Sequence, residues 1–301
     1  MGILGLLMCL VAGCGSSGEP VPAQIPTTNQ ALLISWDGAQ RAHVREMLAA
    51  GRLPHLQRLI RQGGFAETQV RGHATETLTG HTEILTGYRP SDLGVYRMDD
   101  FRVIPHDLTV FVRLETHFAA EGLTTVWVSG KADRMRAGPG EVWSDTKAHV
   151  DVWEGDVNRG NEVTGPLAVS LLEAHAAPGA GFFAFVHFKE PDSVGHRFGE
   201  NSPEYDAGLI AVDAWLGRMR RTLDEQGVGA TTAVFVTTDH GFNEGGLRHK
   251  RAPDAWLATN WAPLRDGAQW DVAPTVLWAC GVDWRDYLPP FPGRPLWTEA
   301  R

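Results

Sequence analysis

Cysteine is scarce in this 301-residue chain, with only Cys9, Cys14 and Cys280 present. That leaves no disulfide framework for a folded body. Long apolar runs are missing too. None reaches about 18 residues, so no segment of the body is long enough to cross a bilayer as a helix. Basic residues are outnumbered: 27 Lys and Arg stand against 36 Asp and Glu, a formal charge of −9. This argues against a nucleic-acid scaffold that works by neutralising many phosphates. The sequence has no internal repeat, and no linker interrupts residues 30–298. What it does have is apolar bulk. Hydrophobic residues make up 43% and charged residues 21%, with 11 Trp and 12 Phe, which excludes a disordered chain. The 34 Gly and 18 Pro are spread along it, as expected for short loops between ordered elements.

Residues 2–13, GILGLLMCLVAG, are apolar and stop at Cys14, after which comes the polar stretch GSSGEPVPAQIPTTNQ. The pattern predicts a signal peptide over 1–13 and a flexible linker over 14–30. Val11-Ala12-Gly13-Cys14 resembles a bacterial lipobox, although no Lys or Arg precedes the apolar run. That resemblance implies export to the periplasmic side of the cell envelope, with the membrane reached only through a lipid on Cys14. Cys280, in the apolar stretch APTVLWACG, then remains as an inert core thiol.

Within residues 31–298 apolar runs alternate with helical patterns. Strands are predicted at 31–36, 124–129, 181–188 and 231–238, and helices after the first strand, around 107–121, 165–177 and 203–226, and at 271–281. Alternation of this kind specifies one α/β domain, a three-layer sandwich around a mainly parallel sheet. The strands are apolar throughout, as befits strands covered on both faces. The Pro-rich tail DYLPPFPGRPLW should wrap the surface.

Polar residues stand just past these strands, where open α/β sheets place ligand sites. Asp37 follows the first, Asp192 the third, and Asp239-His240 the fourth. Asp239 and His240 are adjacent and can reach one ion. Asp192 and His196, at i and i+4, share a face of a helical turn. His249 adds a third imidazole. Three carboxylates with three imidazoles suit zinc-like ions better than Ca²⁺ or Mg²⁺.

These segments (WDG at 36–38, PDSVGH at 191–196, TDHG at 238–241 and His249), together with TLTGHTEILTGYRP at 77–90, resemble the alkaline phosphatase superfamily. More narrowly they are similar to its type I phosphodiesterase/nucleotide pyrophosphatase branch. The resemblance covers nearly all of 31–297 and implies an alkaline phosphatase-like fold and a small-molecule phosphate ester substrate. It further implies Thr77 as nucleophile and two divalent metal ions, Zn²⁺ by the donor set. Asp192, His196 and His249 would hold one; Asp37, Asp239, His240 and the Thr77 oxygen would hold the other. The branch carries Asn three positions after the nucleophile, where this chain has Gly80, whose backbone N–H is the candidate replacement as a phosphate ligand. Lys131, in a segment that resembles the sulfatase Gly-Lys, is a candidate oxyanion binder. Sulfatases need Cys or Ser where this chain has Thr77, so a phosphomonoesterase or phosphonate hydrolase is the nearer alternative, and an inactive binding lipoprotein the non-enzymatic one. The 133–165 region is too short for a large capping domain, and Trp143 and Trp153 within it are candidate pocket residues. His73, His81 and His187 are expected to play supporting or structural parts.

Overall fold

The computed structural model describes residues 25–298, so the signal peptide expected over 1–13 and the lipid site expected at Cys14 lie outside the described residues. Seven strands form one sheet: β1 (Gln30–Trp36), β2 (Gly64–Gln69), β3 (Leu123–Ser129), β4 (Val152–Glu154), β5 (Gly181–Phe188), β6 (Ala233–Thr237) and β7 (Asp254–Thr259). Their order is β2-β7-β6-β1-β5-β3-β4. Pairing is parallel except around β7, which runs antiparallel to both β6 and β2. The helices are α1 (Arg41–Ala49), α2 (Pro54–Gln62), α3 (Thr77–Thr86), α4 (Val110–His117), α5 (Ala132–Met135), α6 (Ser144–Lys147), α7 (Asn161–His175), α8 (Asp192–Phe198), α9 (Pro203–Glu225) and α10 (Val272–Ala279).

Every residue of β1, β5 and β6 is buried. Alternate side chains therefore feed two separate apolar layers. Leu33, Phe183, Phe185 and Phe235 join one with Leu85, Phe111 and Val276 from α3, α4 and α10. Leu32, Ile34, Phe182 and Val234 join the other with Leu56, Leu172 and Leu216 from α2, α7 and α9. This is the expected three-layer α/β sandwich with a mainly parallel sheet. Helix α9 shows why these segments fold as they do. Ser202 caps it by accepting from the Tyr205 N–H, Pro203 opens its first turn, and Tyr205, Leu209, Val212, Leu216, Met219 and Leu223 line its buried stripe.

Several expectations need correction. The helix expected over 107–121 is a 3-10 turn at His106–Leu108 followed by the shorter α4. Strand β2 was hidden behind Gly63-Gly64: a Cβ on Gly63 would lie 2.5 Å from the Thr259 carbonyl oxygen, so glycine is what lets this edge approach β7. The last part of the stretch expected as a linker is anchored, with Thr28 donating to the Thr231 carbonyl and its N–H bonding Ala279. Trp143 and Trp153 do not line a pocket. Trp143 is fully buried, and both pack on Trp127, with ring centroids 5.5 and 4.5 Å away. The tail does more than wrap the surface: Phe291, Leu296 and Trp297 join the core, with Phe291 stacked on Tyr88 and the Trp297 indole donating to the Thr275 carbonyl.

Candidate functional site

The C-terminal ends of β1, β5, β6 and β3 bring Asp37, Asp192, Asp239-His240 and Lys131 to one edge of the sheet. The Asp37 N–H donates to the Phe188 carbonyl and its own carbonyl accepts from the Asp192 N–H. Gly38 turns with φ 67° and donates its N–H to Asp239 Oδ1 at 3.0 Å. Asp192 opens α8, which puts His196 one turn on, and the two side chains approach to 3.4 Å. His249 arrives from the loop before β7 and stands 3.5 Å from the same Asp192 Oδ1. His240 Nε2 lies 3.5 Å from Asp37 Oδ1 and 3.3 Å from Asp239 Oδ2.

Three imidazoles are oriented alike. His240, His249 and His196 turn Nδ1 toward the carbonyls of Gly241, Thr75 and Leu247, at 2.9, 2.6 and 2.9 Å. An Nδ1–H donating to a carbonyl leaves Nε2 as a bare acceptor. His196 and His249 then bring two such nitrogens within 3.0 Å. Acceptors so close repel unless a cation or proton lies between them. Asp37 Oδ1, Asp192 Oδ1, Asp239 Oδ2 and His240 Nε2 are buried without hydrogen-bond partners, a costly state unless something positive satisfies them. Two overlapping groups have ligand atoms mutually within 4.8 Å, Asp192 with His196 and His249, and Asp37 with Asp192 and His240. The donor set therefore fits divalent cations.

Thr77 is the first residue of α3. Its Oγ1 lies 3.5 Å from Asp37 Oδ2 and 3.3 Å from Lys131 Nζ. Lys131 Nζ also bonds Asp37 at 2.8 Å and Asp192 at 2.5 Å. Burial works against the ammonium charge, yet Asp37 and Asp192 outweigh it and raise the lysine pKa. Burial would likewise raise Asp37, but Lys131 and His187 hold its carboxyl well below the usual range. Asp239 goes the other way, pushed up by burial and by Asp37 beside it. Burial and His240 push His249 down to about 4, so it is neutral and able to bind metal near pH 7.

Behind the site, His187 bridges Asp37 Oδ2 and Ser129 Oγ, each at 3.0 Å. His81 spans the Thr77 carbonyl and Ser35 Oγ at 2.7 and 2.9 Å. His73 faces the buried Glu83 at 3.3 Å. Gly80 departs from expectation. Its N–H donates to the Glu76 carbonyl and so cannot serve a phosphate. Its packing matters instead, because α3 rests there directly on the Asp239 backbone.

A cavity of about 700 Å³ opens over Thr77, Lys131, Asp192, His196 and His249, with Arg134, Lys189, Arg248 and Lys250 also in its walls. Asp37, Asp239 and His240 are fully buried. Met98, Asn158 and Lys189 line the cavity but escaped the sequence reading, because nothing in their spacing marks them. The Thr75 carbonyl escaped it as well, since a backbone acceptor leaves no residue-type signal.

A profile of the type I phosphodiesterase / nucleotide pyrophosphatase family matches residues 31–287. The chain belongs to that family. Similar family members include the bis(5'-adenosyl)-triphosphatase ENPP4 of Bos taurus, 23% identical over 249 residues, which are 78% of this chain and 51% of that protein. Another is ectonucleotide pyrophosphatase/phosphodiesterase family member 1 of Mus musculus, 24% identical over 243 residues, 76% of this chain and 25% of that protein. The chain thus spans about half the length of the first relative and a quarter of the second. Among solved structures, the lipoteichoic acid synthase LtaP from Listeria monocytogenes superposes with a TM-score of 0.61 at 13% identity, covering 90% of this chain and 75% of that one. A 2-O GAG sulfatase does so at 0.63 and 12%, covering 92% and 76%. These likenesses show a shared fold.

Proposed function

We propose that this chain is a metal-dependent hydrolase of phosphoric ester bonds, of phosphodiesterase/pyrophosphatase type, with Thr77 as nucleophile. The observation that carries the reading is the Thr77 hydroxyl, 3.5 Å from Asp37 Oδ2 at the start of α3, beside four buried carboxylate and imidazole atoms without partners, on Asp37, Asp192, Asp239 and His240, and the facing Nε2 atoms of His196 and His249. Asp192, His196 and His249 would hold one divalent ion; Asp37, Asp239, His240 and Thr77 Oγ1 would hold the other. Three nitrogens and three carboxylates favour Zn²⁺. When bound, such ions lower the pKa of a hydroxyl or water and offset charge on the reacting phosphate.

The chain's own residues do the rest. Thr77 has no imidazole base at its hydroxyl, since the nearby His81 is committed to the Thr77 carbonyl. Thr77 Oγ1 attacks phosphorus and gives its proton to water, the alkoxide that leaves takes a proton from water, and a phosphothreonine forms that keeps the second ester group of a diester; a further water then attacks that phosphorus, releases the phosphate monoester and returns a proton to Thr77 Oγ1. The Thr77 and Leu78 N–H groups precede the first intrahelical bond of α3 and can bind phosphate oxygens. Lys131, already 3.3 Å from Thr77 Oγ1, supplies a positive charge to the same oxygens. The substrate class is a small phosphate ester, and the cationic residues in the cavity wall favour an anionic one.

The test is a substrate panel on purified protein of measured metal content: bis-(p-nitrophenyl) phosphate, p-nitrophenyl phosphate and p-nitrophenyl sulfate. Phosphate ester cleavage that disappears in Thr77→Ala, with metal content kept, is the expected result. Preference for the sulfate, or full activity in Thr77→Ala, would overturn it. The same reading takes residues 1–13 as an export signal and Cys14 as a lipid site. Mass spectrometry of the N-terminal peptide from the cell envelope of a bacterial host tests this, and an unmodified Cys14 would refute it.

A further inference from the structure

Among residues that do not line the cavity, a second His/Asp arrangement repeats the spacing of the first. Asp145 and His149 are four residues apart on the turn that begins with α6, as Asp192 and His196 are on α8. His106, from the 3-10 turn before α4, completes the set as His249 does in the candidate site. One ligand atom from each of His106, Asp145 and His149 lies within 4.8 Å of the others. The imidazoles of His106 and His149 stack with centroids 3.7 Å apart and planes 17° apart, so their edges run side by side. Asp145 Oδ2 accepts the His106 backbone N–H at 2.9 Å and faces His106 Nδ1 at the same distance. No hydrogen bond among the described residues falls on Asp145 Oδ1. His149 itself is exposed, which leaves room for water to complete a coordination shell.

We propose that His106, Asp145 and His149 form an additional binding site for a borderline divalent ion such as Zn²⁺, separate from the catalytic centre. Two imidazoles and one carboxylate are the donor set that such ions prefer over Mg²⁺ or Ca²⁺. Ligand atoms on a tetrahedral ion stand about 3.4 Å apart. Rotation of the exposed His149 ring is enough to close the set. The ion would brace one wall of the cavity. It would join the turn before α4 to the segment that follows α5, which begins with Arg136, a donor to the Met98 carbonyl, next to Asp133 and Arg134 of α5 in the cavity wall.

The experiment compares zinc bound per chain after equilibrium dialysis, by elemental mass spectrometry, for the wild-type protein, His149→Ala and Asp145→Asn. His149 is exposed, and an asparagine at 145 can still accept the His106 N–H, so neither change should unfold the chain. Each variant is expected to hold one equivalent of zinc fewer than wild type while keeping the wild-type rate of phosphate ester hydrolysis. Equal zinc in all three proteins overturns the proposal, as does loss of zinc only in step with loss of activity. If no ester is cleaved by any of them but the variants still lack one equivalent, the proposed function falls and this site stands.

Discussion

Replacing Gly80 with alanine tests how tightly helix α3 and the Asp239 strand end are fitted together. A Cβ at residue 80 would lie 2.3 Å from the Asp239 carbonyl oxygen and 2.9 Å from its Cβ, where ordinary contact begins at 3.4 Å. One side must retreat by about 1 Å, and the obstacle is backbone, not a side chain that can swing away. Asp239 is poorly free to move: its carbonyl accepts from Gln269 at 2.8 Å and its Oδ1 from Gly38 at 3.0 Å. The displacement must then fall on Thr77, three residues up the same helix, or on Asp239 and His240. Alanine gains about 1 kcal/mol of helix propensity over glycine, against about 1–3 kcal/mol lost to overpacking, so net stability changes little. Geometry decides the outcome, since a misplacement of about 1 Å costs roughly 10²-fold in rate. Steady-state hydrolysis of bis-(p-nitrophenyl) phosphate with saturating zinc, set beside a thermal melt, should show kcat/KM down about 100-fold with Tm nearly unchanged. Wild-type kinetics in Gly80→Ala would refute the argument that this contact sets the Thr77–Asp239 geometry.

Other expectations follow from groups outside the cavity. His43 sits between Glu200 and Asp206 at 2.6 Å each; burial opposes its charge, but hydrogen bonds to these two carboxylates prevail and raise its pKa. Its stabilisation is complete below about pH 6.5, the unfolded value, and fades as pH rises through the higher folded value. Urea titrations should therefore show His43→Ala costing about 2 kcal/mol near pH 6 and clearly less near pH 9, and a cost that grows with pH would contradict it. Burial pushes the Cys280 thiol up to about 12, so a thiol-specific reagent near pH 8 should label it only after unfolding; rapid labelling of the native protein would be the contrary result. Trp143→Ala should cost about 3–5 kcal/mol of stability with KM unchanged, whereas a raised KM in a stable variant would return Trp143 to the substrate pocket.

Much of the site was legible because its residues follow apolar runs. A buried strand announces itself by composition, and the first polar residues beyond it must lie at the sheet's edge, which is how Asp37, Asp192 and Asp239-His240 could be found. His249 was harder, since it sits in a loop without periodicity and is held by the Thr75 carbonyl. Gly80 does not offer the N–H expected of it, because α3 begins at Thr77 and the fourth N–H of a helix is already inside the helical ladder, here bonded to the Glu76 carbonyl. β4 is only three residues long and leaves no periodic signal. Trp143 and Trp153 belong to the core side because Trp127 on β3 takes the Trp143 ring into the core and stacks on the half-buried Trp153, whereas an irregular segment reads as exposed. Met98 reaches the cavity through tertiary folding alone.

The position of β1 in the sheet has a kinetic consequence. Its neighbours on either side, β5 and β6, carry the groups that complete the site, and the contacts that join them span 150 residues from Asp37 to His187 and 201 from Gly38 to Asp239. Closing loops of that length precedes any reward from the contacts they make, so these pairings form slowly. Asp192, His196 and His249 come from the C-terminal half alone, but the group of Asp37, Asp192 and His240 draws on both ends of the chain, so the complete centre needs both. During synthesis the centre can come into being only once the strand at 233–237 has emerged and docked, which makes its completion by Asp37 and His240 a late event and a marker that the central strands are in register.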